Sequence, residues 1–291
     1  MPTPYESKEF FEGLKWREKA KSKLLTANNC IASWTDICGF GSLLKEAEWN
    51  LSKLQLIGAI ELLNEVYEIT ANPLLPNIDP YPNDKIIILN DGIARTVDLK
   101  YKKEMDSFSF LIFFRNMIFN HYYLLEITRR YNVGIRTVFA GGQRIQYSRP
   151  NTTGHSLLYY DTENVSDYGK QLLDTTFVYN PAEFQMNTAF AKAFTIDSLG
   201  TKENIKVNGL YIEEDFLVLM GDIKNIDIKF NNSLIEISYK KKLVFNLNIA
   251  EKLIKNLKGI NVEIYHIDKY HIYSNFDGDD LDFDLFRTIS N

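Results

Sequence analysis

Two aspartates beside turns have the residue type and setting to do chemistry in this 291-residue chain. Asp36 lies in the segment CIASWTDICGFGS (30–42), where an apolar strand runs into an Asp-Ile-Cys-Gly-Phe turn. Asp91 follows the apolar run KIIILN (85–90) and precedes Gly92, at the tip of a predicted hairpin. Each aspartate could simply cap a turn. Two exposed carboxylates at neighbouring tips could instead share a pair of divalent cations.

The predicted elements bring both tips to one edge of a sheet. Hydrophobic spacing predicts a long helix over 43–70, a hairpin over 85–99 and a buried helix over 106–131. A strand over 133–140 follows and should stop at Gly141-Gly142. The order strand, helix, hairpin, helix, strand predicts an α+β fold of the ferredoxin-like or polymerase-palm kind, with helices packed on a mostly antiparallel sheet.

Three segments are predicted along the chain. Residues 1–27 form an amphipathic helical arm for packing or a dimer contact, and residues 28–200 form the core. Residues 201–291 complete the domain with an atypical insert, at about 205–250, and an acidic tail. The tail lacks the glutamate and glycine positions of an EF-hand loop, so it is predicted to be solvated and without a site.

Composition excludes several classes of function. A net charge of −5 argues against a broad nucleic-acid-binding surface, although a local pocket for a triphosphate is compatible with it. The N-terminal segment lacks the uninterrupted apolar stretch of a signal peptide or membrane span, which predicts a cytoplasmic protein with no membrane partner. Cys30 and Cys38 show no zinc or disulfide pattern, and the four histidines show no catalytic spacing.

Five segments together resemble the class III nucleotide cyclases, the adenylate and guanylate cyclase superfamily. They match, in order, the family's two metal motifs, a central strand, the base- and ribose-binding stretch and the closing Leu-Lys-Gly strand: 35–40, 90–92, 133–137, 179–191 and 256–265. The resemblance covers roughly residues 28–268, and it departs from the family pattern where Asn90 replaces a glycine. Within the family, the chain is similar to the pyrimidine cyclases of bacterial anti-phage defence, the Pycsar group.

The resemblance implies a substrate, a cofactor and an assembly. Asp36 and Asp91 would hold two Mg²⁺ or Mn²⁺ ions, with the backbone carbonyl of Ile37 as a further ligand. The substrate would be a ribonucleoside triphosphate and the product its 3′,5′-cyclic monophosphate. Because the family takes metal and base contacts from different subunits, the resemblance implies a head-to-tail homodimer with composite sites.

Two positions that read the base in the family are Ile87 and Asn180 in this chain. Neither the Lys and Asp pair of adenylate cyclases nor the Glu and small-residue pair of guanylate cyclases is present. Ile87 cannot hydrogen-bond a base edge, whereas the amide of Asn180 can pair with uracil or, in the flipped orientation, with cytosine. Asn180 could equally shape a turn before Pro181.

The resemblance also assigns contacts to ribose and phosphate. Asn187 matches the ribose-orienting asparagine, although a polar residue at a helix start has the same appearance. Lys258 matches a triphosphate contact, and it could equally be a surface lysine.

One departure affects catalysis directly. Where the family has an arginine that stabilises charge on the phosphate, this chain has Ala191 followed by Lys192. Loss of such a group typically lowers the rate about 100- to 1000-fold. Either Lys192 reaches the phosphate, or catalysis is weak, or another arginine substitutes, the candidates being Arg95, Arg136 and Arg144.

Three functions are therefore open. The first is a cyclase acting on UTP or CTP, making cyclic UMP or cyclic CMP as an anti-phage signal. The second is a weak or inactive cyclase-like module that binds a nucleotide and regulates a partner. The third, nucleotidyl transfer by a related palm domain, requires a basic nucleic-acid groove, and the net charge disfavours it.

Overall fold

A large sheet with helices packed against it dominates the structure, a computed structural model that describes residues 8–71, 84–101, 103–104, 106–145, 167, 182–273 and 281–284. The main strands are β1 (Ala27–Cys38), β2 (Lys85–Leu89), β3 (Gly92–Asp98), the short pair β4 (Lys100–Tyr101) and β5 (Lys103–Glu104), β6 (Gly134–Ile145), β7 (Leu210–Glu213), β8 (Ile226–Asn231), β9 (Leu234–Tyr239), β10 (Lys242–Leu257), β11 (Ile260–Ile272) and β12 (Leu281–Asp284). The helices are α1 (Lys8–Lys21), α2 (Phe40–Glu46), α3 (Leu51–Leu56), α4 (Ala59–Ala71), α5 (Ser107–Arg130), α6 (Thr188–Leu199) and α7 (Glu214–Gly221), with 3₁₀ turns at Ala182–Phe184 and Thr201–Glu203.

The sheet has the strand order β2-β3-β1-β6-β7-β11-β10-β9-β8, with β12 paired to β11. β7 runs parallel to β6, whereas β3 is antiparallel to both β1 and β2, and the strands from β7 through β11 to β8 pair antiparallel. The predicted α+β fold with a mostly antiparallel sheet is therefore confirmed. Residues 226–250, predicted as part of an atypical insert, form β8, β9 and the first part of β10.

Alternation along β1 gives the sheet two differently covered faces. Ile31 belongs to the core formed with α5 and α7, and Ile37 to a second core formed with α4 and α5. Cys30 and Ala32 face the other way and pack against Ala189 and Phe190 of α6. Asp36 shares this α6 face because it is an even-numbered residue of the same strand. None of the helices in the described part of the chain is both long and apolar enough to cross a membrane.

The prediction of a single helix over residues 43–70 is wrong. The segment forms α2, α3 and α4, because Trp49 and Gly58 take left-handed backbone angles, with φ of 57° and 77°, that an α-helix cannot contain. Asn50 then starts α3, its side chain accepting a hydrogen bond of 3.1 Å from the Lys53 amide. The hairpin and the helix α5, by contrast, form close to their predicted bounds, with Asp106 capping α5 through the Ser109 amide.

The predicted stop at Gly141-Gly142 is also wrong, because β6 continues through both glycines to Ile145. At Gly141 a side chain would lie 2.4 Å from the Asp215 backbone, so the glycine permits a close approach and does not end the strand. Within the predicted acidic tail, residues 281–284 form β12 against β11.

The chain divides into two compact units. One contains Met1–Asn29 and Gln143–Thr188, and the other contains Cys30–Gly142 and Ala189–Asn291. In the first unit, the Thr188 hydroxyl lies 2.8 Å from the Gln143 amide. The second unit contains the cores described above. The sequence-based division at residues 27 and 200 stays a prediction.

Candidate active site

The ends of β1 and of the β2–β3 hairpin lie side by side and carry the two predicted metal-binding aspartates. Asp36 pairs with Gly92 in the register of β1 and β3. The Ile37 amide donates a 3.0 Å hydrogen bond to the carbonyl oxygen of Asp91. The structure thus brings Asp36, Ile37 and Asp91 together at one edge of the sheet, with both carboxylates half-buried.

The two carboxylates share a field of negative charge. Burial, then Asp197 and Asp91, raise the pKa of Asp36 to about 7, while Arg136 opposes the shift. Burial, with a contribution from Asp197, also raises the pKa of Asp91, although its own backbone hydrogen bond acts in the opposite direction. A divalent cation would relieve this repulsion.

Asp197 of α6 belongs to the same cluster, and sequence reasoning missed it. Its carboxylate accepts hydrogen bonds from the Arg136 Nε on one oxygen and, at 3.2 Å, from the Trp34 indole on the other. The signal in the sequence was weak: Asp197 is the only acidic residue in the helix TAFAKAFTIDSL. Its partners are 61 and 163 residues away, so no local motif connects them.

Trp34 joins these residues to the hairpin. Its indole ring lies over Gly92, where a Cβ atom would come within 2.4 Å of two ring carbons. The ring also contacts Phe194 of α6 edge-on, with ring centroids 5.1 Å apart. Only glycine fits at position 92 without moving the indole. The residue that pairs with Asp36 and follows Asp91 must therefore lack a side chain.

The donor set fits a hard cation such as Mg²⁺ or Mn²⁺. Two carboxylates and a backbone carbonyl are oxygen donors, and such ions commonly complete their coordination with water and phosphate oxygens. In the part of the chain that the structure describes, no group of three or more histidine, cysteine, aspartate or glutamate side chains could hold a metal. The assignment of Asp36, Ile37 and Asp91 as ligands stays a prediction.

Ile87 lies on the same face of the sheet as Asp36. It pairs with Ala94 of β3, and Ala94 pairs with Trp34, so the register places all three on one face. Its side chain is half-buried. Asn180, the other predicted base contact, lies outside the described residues.

Asn187 belongs to the first compact unit. It is 5% exposed, its side-chain amide donates a 2.9 Å hydrogen bond to the Glu183 carbonyl, and its backbone forms a bridge with Arg144. These contacts fix the orientation of the side chain just before α6 begins.

Lys192 makes two ion pairs in the structure. Its ammonium group lies 2.8 Å from a Glu213 oxygen and 2.6 Å from an Asp215 oxygen. The carboxylate of Glu213 is 2% exposed, and its second oxygen accepts a hydrogen bond from the Gly141 amide. A phosphate would have to compete with these carboxylates for Lys192.

Lys258 and Arg95 lie outside the cluster around Asp36 and Asp91. Lys258 is exposed in the β10–β11 turn, with a φ of 51°. Arg95 pairs with Ser33 in the β1–β3 register, on the face opposite Asp36, and binds both oxygens of Asp84.

No protein-family model and no curated protein matches the chain. Among solved structures, it is similar to the guanylyl cyclase Cya2, with 10% identity and a TM-score of 0.43, over 84% of this chain and 93% of that chain. It is also similar to the guanylate cyclase domain of RhGC from Catenaria anguillulae in complex with GTP, with 11% identity and a TM-score of 0.36, over 83% and 97% of the two chains. A dimeric guanylyl cyclase domain of the RhoGC fusion protein from the aquatic fungus Blastocladiella emersonii matches with 10% identity and a TM-score of 0.40, also over 83% and 97%. TM-scores below 0.5 establish neither the fold nor the function of this chain.

Proposed function

We propose that this protein is a nucleotide cyclase that converts a ribonucleoside triphosphate to its 3′,5′-cyclic monophosphate and pyrophosphate. The observation that supports it most is the adjacency of Asp36 and Asp91, joined through the hydrogen bond from the Ile37 amide to the Asp91 carbonyl. Two carboxylates with few other acidic donors leave coordination positions for the oxygens of a triphosphate.

In this reaction the ribose 3′ oxygen forms a bond to the α-phosphorus and loses its proton to water, while the bond from the α-phosphorus to the bridging oxygen breaks. Pyrophosphate carries away the electron pair of that bond. Two bound Mg²⁺ or Mn²⁺ ions would supply Lewis acidity at the attacking oxygen and charge neutralisation on the triphosphate. Asp36, Asp91 and the Ile37 carbonyl would hold these ions at the sheet edge.

The remaining contacts are proposed from the sequence motifs. Asn187 would orient the ribose, and Lys192 would contact the phosphate after leaving Glu213 and Asp215. Lys258 would bind the triphosphate from a neighbouring subunit in a head-to-tail homodimer. Such a dimer would combine the proposed metal ligands Asp36, Ile37 and Asp91 of one subunit with the ribose contact Asn187 of the other.

A pyrimidine triphosphate, UTP or CTP, is the proposed substrate. Ile87 lies on the same face of the sheet as Asp36. Its side chain has no hydrogen-bonding group, so it cannot recognise a purine as the lysine or glutamate of the purine cyclases would. Asn180 would then read the pyrimidine edge through its amide. The cyclic UMP or cyclic CMP so formed would serve as an anti-phage signal.

The alternative is a cyclase-like module that binds a nucleotide without efficient turnover. Ala191 supplies no cation, and the ammonium group of Lys192 is already held by Glu213 and Asp215. If these ion pairs persist when nucleotide binds, no cation from this part of α6 reaches the phosphate.

The test is to incubate the purified protein with each of the four ribonucleoside triphosphates and Mn²⁺, and to quantify cyclic monophosphate and pyrophosphate. We expect equal amounts of the two products from UTP or CTP, and none with the variants Asp36→Ala and Asp91→Ala. If all four triphosphates survive while one raises the melting temperature, the binding module is correct. Product in both variants would refute metal binding by the two aspartates, and cyclisation of ATP alone would refute the pyrimidine assignment.

A further inference from the structure

A buried ion pair lies beside the two predicted metal ligands. Arg136 of β6 and Asp197 of α6 are 7% exposed each, and their side chains are joined through Arg136 Nε. Arg136 projects to the α6 face of the sheet, the face to which Asp36 of β1 also belongs. A permanent cation thus lies next to a site proposed to bind divalent cations.

Arg136 is a potential competitor for that site. Its guanidinium group stays charged at all relevant pH values and matches the geometry of a carboxylate. Three of its five N–H groups donate to the Asp197 side chain, the Asp197 carbonyl at 3.1 Å and the Ile205 carbonyl at 3.2 Å. The hydrogen bonds of the described residues do not join Arg136 to Asp36 or Asp91, although Arg136 acts on Asp36 electrostatically.

Asp197 is itself held in place from the other side. Its second carboxylate oxygen accepts the Trp34 indole N–H, and the indole ring lies over Gly92. Trp34 is only two residues before Asp36, and Gly92 follows Asp91. The Asp197 carboxylate that binds the guanidinium is therefore in contact with Trp34, and through it with Gly92. These two residues belong to the chain segments that carry the predicted ligands.

From this geometry we propose that Asp197 is a positioning residue that binds the Arg136 guanidinium and so keeps it from neutralising Asp36 and Asp91. The carboxylate pair then stays available to a divalent cation. The idea rests on the cation site of the proposed function, and it goes beyond that function by assigning a role to a side chain that would not itself be a ligand. Each oxygen of Asp197 already accepts a hydrogen bond from a protein donor, so the carboxylate is held toward Arg136 and Trp34.

A double-mutant cycle separates this role from a simple loss of negative charge. If Asp197 acts only through its field, Asp197→Asn weakens Mn²⁺ binding by the same factor whether or not Arg136 is present. If Asp197 restrains Arg136, the substitution frees a competing cation, and its effect depends on Arg136. Gln is the suitable replacement for Arg136, because its amide is neutral and can still donate to Asp197.

The measurement is Mn²⁺ affinity, by electron paramagnetic resonance of free Mn²⁺, for the wild type, Asp197→Asn, Arg136→Gln and the double variant. We expect Asp197→Asn to weaken binding about tenfold or more in the wild type and by less than about threefold in the Arg136→Gln background. Equal factors in the two backgrounds would overturn the proposal. Asp227→Asn, at an exposed position of β8, is the matched control and should leave affinity unchanged.

Thermal melting by circular dichroism identifies variants that do not fold. If Asp197→Asn does not fold, Arg136→Lys takes its place, because a lysine keeps the charge but lacks the planar fork that Asp197 holds. We then expect Arg136→Lys to weaken Mn²⁺ binding more than Arg136→Gln does, and the reverse order would overturn the proposal. Wild-type protein that binds Mn²⁺ but forms no cyclic nucleotide would refute the proposed function alone, whereas an active enzyme with an additive cycle would refute this inference alone.

Discussion

At the scale of single residues, the candidate site depends on a few close approaches. Asp36 and Asp91 come from local turn patterns that a sequence shows directly. Asp197 and Trp34 join the cluster through contacts over long stretches of chain. Gly92 connects the local turn to the long-range contacts, because it belongs to the Asp91 turn and its lack of a side chain leaves room for the Trp34 indole ring.

Replacing Gly92 by alanine tests this packing. The new Cβ atom would lie 2.4 Å from the Trp34 ring, so we expect a loss of about 1–3 kcal/mol in the free energy of unfolding, as is typical of overpacking. Urea unfolding measures it. Gly41→Ala is the control, since a Cβ there would have no atom within 4 Å apart from those of its chain neighbours and its own helix backbone, and it should not destabilise the protein. Equal stability of the two variants would contradict the observed contact.

At the scale of elements, α6 is attached to the sheet by charged contacts at two points. Arg136 binds Asp197 near its C-terminal end, and Lys192 binds Glu213 of β7 near its middle. In the second contact, burial raises the pKa of the Glu213 carboxylate, and the hydrogen bond and charge of Lys192 oppose this shift without cancelling it. Lys192 therefore has a structural part whatever its part in catalysis.

The substitution Lys192→Met would leave the Glu213 carboxylate buried without its cation. We expect a loss of about 3–5 kcal/mol in the free energy of unfolding, the usual effect of removing one partner of a buried pair. The double variant with Glu213→Gln should recover most of this loss. Lys206→Met, which removes an exposed pair with Glu251, should cost less than about 1 kcal/mol. If both lysine variants lose the same stability, Lys192 is not a structural residue.

The contact between α5 and β6 predicts a dependence of stability on pH. His121 is fully buried with its Nδ1 2.9 Å from the Thr137 hydroxyl, and burial lowers its pKa from 6.5 to about 3. Below pH 6.5 the unfolded chain gains a proton that the folded protein does not, so stability is complete above pH 6.5 and falls toward pH 3. One such group contributes up to about 1.4 kcal/mol per pH unit in that window.

Urea unfolding of the wild type and His121→Asn between pH 7.5 and 5 measures this contribution. The variant should lose less stability as the pH falls, so the two curves should converge. His271→Asn keeps the buried histidine and should show the wild-type slope. Parallel curves for the wild type and His121→Asn would mean that His121 can take up a proton in the folded state.

At the scale of the whole molecule, the sequence predicted the α+β fold and the meeting of the Asp36 and Asp91 tips, because both follow from local periodicity and turn residues. It did not predict the division of residues 43–70 into three helices, since Trp49 takes a left-handed conformation without being a glycine or an asparagine. The passage of β6 through Gly141 was missed for another reason. A glycine that admits a neighbouring backbone looks the same in sequence as one that ends a strand.

Assembly is the remaining prediction at this scale. If each active site combines Asp36 of one subunit with Asn187 of the other, mixing Asp36→Ala and Asn187→Ala proteins should restore activity. Random exchange gives half heterodimers with one intact site each, so we expect about a quarter of wild-type turnover. The rate of cyclic nucleotide formation measures it. A mixture no more active than its two components would contradict a composite site.

Direct Mn²⁺ binding tests the central claim, that Asp36 and Asp91 together bind the divalent cations. Electron paramagnetic resonance of free Mn²⁺ should show binding to the wild type and to the control Asp227→Asn. Because each carboxylate is assigned as a direct ligand, Asp36→Asn and Asp91→Asn should each weaken the affinity by more than about 100-fold. Binding of Mn²⁺ to both variants with the affinity of the wild type would contradict the account.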